Sequence, residues 1–352
     1  MYMNQTFEIS MVLDSAKFHK VFVGACDRTG RMERTENEYI DHSLEPKGIT
    51  VIYRDSQYKK KIRVLVNVGA VTESGMNDPE KFIRKLDKRI GEYFGNKYKM
   101  DDFTLSGLTL AVDIKVGDSE MVSAYLRVLR RIGRVKGFTP VSYDCFEDDT
   151  SFCLEGNSNG IEFLLYDLKS MLVNQLKQTN IKRKELRSVA ERSEGALRAE
   201  VRLAKPKAIK AYARTSDVSG QIKELIKKCE EIFMDTFTWI IPFGEFYKKD
   251  KALELIHRKV ADSVMRRKML RLLALIPEKK SLYLAQKTMN CRNIEKVMDA
   301  FAKINVSPVT ISKRHDIKYL NGLYAYLIDH KSVGNPRQAE GEVPVHSVLG
   351  KY

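Results

Sequence analysis

Cysteine, histidine and long apolar runs are all scarce in this chain, and each shortage removes a class of function. The five cysteines, Cys26, Cys145, Cys153, Cys229 and Cys291, are an odd number without C-x-x-C spacing, so neither a disulfide framework nor a cysteine-type zinc site is expected. Six histidines are scattered, with no His-x-His or His-x-x-x-His cluster, which removes the two-histidine site of most zinc hydrolases. G-x-G-x-x-G and G-x-x-x-x-G-K-[ST] are absent, leaving no support for a dinucleotide or P-loop reading. The longest apolar stretches, such as Phe237 to Phe243, fall far short of the ~20 residues that span a bilayer. No secretory apolar region lies in Met1 to Ser10, so the expectation is a cytoplasmic protein with no membrane partner.

Positive charge is what the chain has in excess. Its 352 residues carry 61 Lys and Arg against 46 Asp and Glu, net +15, a bias toward polyanions. Residues 1–180 balance at 26 basic and 26 acidic, residues 181–214 hold 11 and 4, and residues 215–352 hold 24 and 16. The excess therefore falls in the second half. The run Lys182, Arg183, Lys184, Arg187, Arg192, Arg198, Arg202, Lys205, Lys207, Lys210 and Arg214 has a density suited to phosphate contacts and counterion release. A second basic region follows, with Arg266 and Arg267 in it, and the two together favour nucleic acid over a merely solvated surface.

Patterning predicts an α+β fold. A strand over Phe7 to Leu13 precedes a short amphipathic stretch, and Ile49 to Arg54 with Ile62 to Val68 read as a hairpin around Asp55-Ser56-Gln57-Tyr58. Asp78-Pro79-Glu80 starts a helix, with the aspartate as N-cap and proline in the first turn. Phe103 to Val116 is a strand, and Asp118 opens a second helix. Ser151 to Glu155 and Ile161 to Tyr166 form a hairpin turned by Gly156-Asn157-Ser158-Asn159-Gly160. A helical stretch from Leu168 to Arg192, a strand from Ala196 to Leu203 and a helix after Pro206 complete the pattern. This order fits residues 1–215 as two ferredoxin-like or RRM-like halves sharing an antiparallel sheet. Residues 216–330 read as a helical C-terminal domain, with a long basic helix over Lys251 to Leu275 and helix-turn-helix proportions around Met269 to Ile304. Residues 331–352 read as a flexible tail.

Strand alternation sorts the chemistry by face. Asp113, Glu162 and Glu200 share a face if their three strands are neighbours, and oxygen ligands of that kind suit Mg²⁺ or Mn²⁺. Arg198 and Arg202 would then neutralise the scissile and neighbouring phosphates. The alternative is an ordinary sheet face with salt bridges. A nicking enzyme that keeps hold of its product also needs a hydroxyl nucleophile. Tyr212 is one choice, because Lys205, Lys207, Lys210 and Arg214 around it in sequence would favour its ionised form; Tyr166 is the other.

The segments Leu105-Ser106-Gly107-Leu108-Thr109-Leu110-Ala111-Val112-Asp113, Leu165-Tyr166-Asp167 and Leu197-Arg198-Ala199-Glu200-Val201-Arg202-Leu203 resemble the replication initiation factor family of rolling-circle plasmids, phages and integrative elements. The resemblance covers about residues 50–215. It implies a strand-specific nick at a replication origin through a tyrosine and a divalent metal. Asp113 matches the later aspartate of the first motif, Tyr166-Asp167 the second motif, and Arg198 with Glu200 the arginine-x-glutamate of the third. The chain departs from the pattern at Gly107 and Thr109, where the family usually has arginine and aspartate, at Leu168, where lysine is usual, and at Ala199, where an aromatic is frequent. Those departures make a non-catalytic DNA-binding replication protein the alternative. An RNA-binding protein, with aromatics such as Tyr166 stacking bases, is a third class. The partners expected are origin DNA, duplex and single-stranded, a host helicase and a second copy of the chain.

Overall fold

Ten strands pair side by side because their apolar residues recur every second position and leave one face to be covered. The computed structural model describes residues 3–29, 32–72, 78–178 and 184–332. Its strands are β1 (Asn4–Leu13), β2 (Glu33–Arg34), β3 (Glu38–Asp41), β4 (Ile49–Asp55), β5 (Lys60–Asn67), β6 (Thr104–Lys115), β7 (Phe138–Pro140), β8 (Ser151–Gly156), β9 (Ile161–Asp167), β10 (Ala196–Leu203), β11 (Phe246–Tyr247) and β12 (Tyr319–Leu320). The helices are α1 (Ser15–Thr29), α2 (Val68–Thr72), α3 (Pro79–Tyr93), α4 (Ser119–Leu129), α5 (Leu168–Gln178), α6 (Lys184–Arg192), α7 (Pro206–Tyr212), α8 (Val218–Ile240), α9 (Lys249–Lys259), α10 (Ser263–Lys279), α11 (Leu282–Met289), α12 (Ile294–Lys303) and α13 (Leu323–Ser332). The large sheet has the order β2-β3-β4-β5-β1-β6-β10-β9-β8-β7, and β11 and β12 form a separate pair. Every pairing in the large sheet is antiparallel. The architecture is α+β.

Helix starts obey their capping residues. Asp78 accepts hydrogen bonds from the backbone N–H groups of Glu80 and Lys81, with Pro79 at the first position of α3, and Asp118 accepts from Met121 at the head of α4. Two expected helices are each divided. Residues 168–192 form α5 and α6, and 179–183 between them lie outside the described residues. The single helix expected over Lys251 to Leu275 is α9 and α10, broken where Asp262 turns its carboxylate back to cap Val264.

One face of the sheet carries the main core. Phe7, Ile9 and Met11 from β1, Val64 and Val66 from β5, Leu110, Val112 and Ile114 from β6, and Leu197, Ala199, Val201 and Leu203 from β10 are all buried in it. α8 lies over β6 and β10 and touches α3, and its buried Ile222, Leu225, Ile232, Phe233, Phe237 and Ile240 belong to the same cluster. The hydrophobic core is thus continuous across residue 215, where a domain boundary was expected. The opposite face is covered over only part of its width. α5 and α6 pack there on Cys153, Leu164, Tyr166 and Ala196 from β8, β9 and β10, while the part over β4, β5, β1 and the start of β6 is left to a groove. Residues 333–352, most of the expected flexible tail, lie outside the described residues. No helix among the described residues is long and apolar enough to cross a membrane.

Candidate nucleic-acid interface

The register of β6, β10 and β9 fixes where the chemistry-bearing residues stand. Arg198 is paired with Asp113 on one side and Tyr166 on the other, Glu200 with Ala111 and Leu164, and Arg202 with Thr109 and Glu162. Asp113, Glu162 and Glu200 do share a face, as alternation predicts, but Asp113 and Glu162 occupy opposite corners of this patch. Four residues along the strands and two strand spacings separate them, about 13 Å by 10 Å.

Both faces of β10 are buried from Ala196 to Leu203, so its charged face lies beneath α5, α6 and the 141–146 segment rather than in solvent. Charges removed from water must be paired, and these are. Arg198 donates to both oxygens of Asp113, from Nε at 2.6 Å and Nη2 at 2.8 Å. Arg202 grips Glu200, with Nε at 2.9 Å and Nη2 at 2.5 Å from Oε2, and the Tyr166 hydroxyl donates to Oε1 at 2.5 Å. Burial pushes the Glu200 carboxyl up, but the charges of Arg202 and Arg198 outweigh it and hold it below the ordinary value. Glu162 is raised, first by burial and against the pull of Arg202. Among the described residues no three His, Cys, Asp or Glu side chains gather as a metal-binding group. As arranged, Asp113, Glu162 and Glu200 do not fit Mg²⁺ or Mn²⁺: two are already neutralised by guanidinium groups, and the third stands apart from Asp113.

The two tyrosines occupy different environments. Tyr166 is buried against Phe146, with ring centroids 4.7 Å apart, and burial followed by the charge of Glu200 drives its hydroxyl far above the usual range. Tyr212 ends α7 on the helix-covered side, packed against the main core, and its carbonyl accepts from Lys228 at 2.7 Å. Its hydroxyl is not shifted toward the ionised form as expected: burial, then Asp235 and Glu231, raise its pKa. Adjacent positions in sequence placed lysines near Tyr212 only along the chain, because successive helical residues point to different sides.

Where β10 stops at Leu203, residues 104–107 of β6 continue beside β1 alone. The chain turns there through Ala204-Lys205-Pro206 into α7. A groove of about 820 Å³ occupies this corner and extends over the sheet to the β4–β5 hairpin. Arg54, Lys59, Lys61 and Arg63 form its bank on the hairpin side, Lys205 and Lys210 the other bank, and Arg202 reaches it from the floor. Among the described residues two carboxylates, Glu8 and Glu162, line it. The floor between the banks is Thr6, Ser10, Thr104, Ser106 and Thr109, with Gly107 in its middle. A Cβ at Gly107 would sit 3.4 Å from Glu8 Cβ, so the glycine leaves the floor open where a side chain would stand in the trough. Glu8 is held by Arg63 Nη2 at 2.7 Å and by the Ser106 hydroxyl at 2.9 Å. Burial raises its pKa, but Arg63 brings it below the ordinary value. Lys61 is lowered, first by burial, with smaller contributions from Arg63, Lys59 and Arg54 set against the opposing charge of Glu8.

Of the expected nucleic-acid contacts, Lys205, Lys210 and Arg202 line the groove, whereas Lys207, Arg214, Arg266 and Arg267 are not among its lining residues. Arg198 faces Asp113 and is not a lining residue either. Lys182 and Arg183 lie outside the described residues. Four of the groove's cations, Arg54, Lys59, Lys61 and Arg63, come from the half of the chain whose net charge is zero. The alternating Lys59, Lys61 and Arg63 beside a strand was the available signal. No protein-family model matches the chain, and no curated protein matches it either.

Proposed function

We propose that the chain is a DNA-binding replication protein of a phage or mobile element, related in plan to replication initiators, whose groove takes the sugar-phosphate backbone of an origin strand. The observation that carries this reading is the lining: seven cations, of which Arg63 and Arg202 are also paired with Glu38 and Glu200 behind it, against two carboxylates around a hydroxyl-rich floor. That ratio attracts phosphates and releases their counterions, while serine and threonine hydroxyls add neutral contacts to backbone oxygens. The adjacency of the three motif strands, in the order β6-β10-β9, supports the same reading. So does a finer view of the fold in which β1, α1, β4, β5, α3 and β6 form one ferredoxin-like unit, with sheet order β6-β1-β5-β4, and β6, α4, β8, β9, α5, α6 and β10 form a rearranged second one.

Strand nicking is a second reading, favoured by the contact of Tyr166 with Glu200, which unites residues of two motifs. Binding is preferred because two of the three motif carboxylates, Asp113 and Glu200, are already engaged by arginines. The test is fluorescence anisotropy with single-stranded and duplex oligodeoxynucleotides across a salt series, alongside incubation of a supercoiled origin plasmid with Mn²⁺ or Mg²⁺. The expected result is single-strand affinity that falls steeply with salt, a slope reduced by about 0.7 in each of Lys61→Ala and Lys210→Ala, and no protein-linked nick. A nicked, protein-linked plasmid would establish the second reading, and absence of any DNA binding would overturn the first.

A further inference from the structure

The hairpin that supplies one bank of the groove ends in an aromatic ring with almost nothing packed on it. Tyr58 is 92% exposed, whereas Tyr53, five residues earlier on the same hairpin, is fully buried. The tip is braced. Ser56 and Lys59 exchange backbone hydrogen bonds at 3.3 Å in each direction, and the Ser56 hydroxyl donates to the Lys59 carbonyl at 2.8 Å while accepting from its N–H at 3.1 Å. Lys60 pairs with Asp55 just below. Tyr58 is therefore carried on a fixed two-residue turn, with Arg54, Lys59 and Lys61 of the groove wall within four residues of it. Among the described residues no ion pair engages Arg54 or Lys59.

An exposed aromatic at the end of a cationic track is the combination by which proteins hold unpaired strands: the cations follow the backbone and the ring stacks on a base. A polyanion without bases offers the ring nothing, and in a duplex the base faces are already covered by their neighbours. We propose that Tyr58 stacks on an unpaired base of the strand whose phosphates lie along Arg54, Lys59 and Lys61. The ligand class of the groove is then a single strand with accessible bases rather than any polyanion. This rests on the reading of the groove as a DNA site.

The test uses the full chain and two deoxyoligomers of about 16 nucleotides, one oligothymidine and one abasic, equal in length and charge. The thymidine strand is expected to bind about tenfold more tightly than the abasic one. Tyr58→Ala should abolish that ratio while leaving abasic binding and its salt slope unchanged, and Tyr58→Phe should preserve the ratio. Equal binding of both oligomers by the unmodified chain, a ratio that survives Tyr58→Ala, or equal weakening of both oligomers by that variant would each overturn the stacking role and leave the groove reading standing. Failure of the unmodified chain to bind either oligomer would remove the groove reading and the stacking role together.

Discussion

Removing the carboxylate of Glu200 would strand the Arg202 guanidinium and leave the Tyr166 hydroxyl without its acceptor among buried residues. A buried ion pair broken on one side costs about 3–5 kcal/mol, so Glu200→Ala is expected to lower unfolding free energy by that amount in urea titration. The pair also makes stability depend on pH in one direction. A carboxyl whose folded pKa lies below its unfolded value near 4.5 contributes stability that is present above pH 4.5 and lost as pH falls through the lower folded value. Glu200→Ala should lose this acid-side slope along with its stability; a variant as stable as the parent would show that the pair does not hold the sheet face together. At this scale the sequence was half legible. Alternation placed Arg198, Glu200 and Arg202 on one face correctly, because a strand's period of two is a local property. Whether that face meets solvent or α5 and α6 is a tertiary matter, and it turns a set of phosphate contacts and metal ligands into a closed ladder of ion pairs.

α8 shows the same division among the secondary-structure elements. Its apolar residues at 222, 225, 226, 229, 232, 233, 237 and 240 follow the helical period, so the amphipathic helix was readable. The surface it packs against was not, since the sequence does not state that the stripe faces β6 and β10. Each large apolar side chain buried there contributes about 1.5–3 kcal/mol, several times over along α8. A fragment of residues 1–215 is accordingly expected to lack the cooperative unfolding and near-ultraviolet circular dichroism of the full chain; a cooperatively folding fragment would show that α8 is dispensable to the core. The break between α9 and α10 has a visible local cause in Asp262, whose carboxylate caps Val264. It was hidden because the apolar and basic pattern runs on through the cap without a glycine or proline to interrupt it.

Across the whole molecule, charge is arranged by surface and not by segment. Residues 1–180 sum to zero, yet Arg54, Lys59, Lys61 and Arg63 from that half stand across a hydroxyl floor from Lys205 and Lys210. Some of the balancing acids are spent away from the groove, where Asp78 and Asp118 cap helices, while Glu38 and Glu8 serve Arg63 at its edge. The basic run after Ile181 is divided in turn, with Arg198 paired inside the sheet and Lys205 and Lys210 on the groove. A count along the sequence finds the excess but not the place where it converges, because convergence depends on β5 and β10 being brought within three strand spacings of each other by β1 and β6. The most direct test is hydrogen exchange read by mass spectrometry, with and without a saturating single-stranded oligodeoxynucleotide. Protection is predicted over residues 54–63, 104–109 and 202–210, with α10 unchanged. Protection confined to α10 and α12, with the β4–β5 hairpin and the α7 corner exchanging as in the free protein, would contradict the groove as the site of nucleic-acid binding.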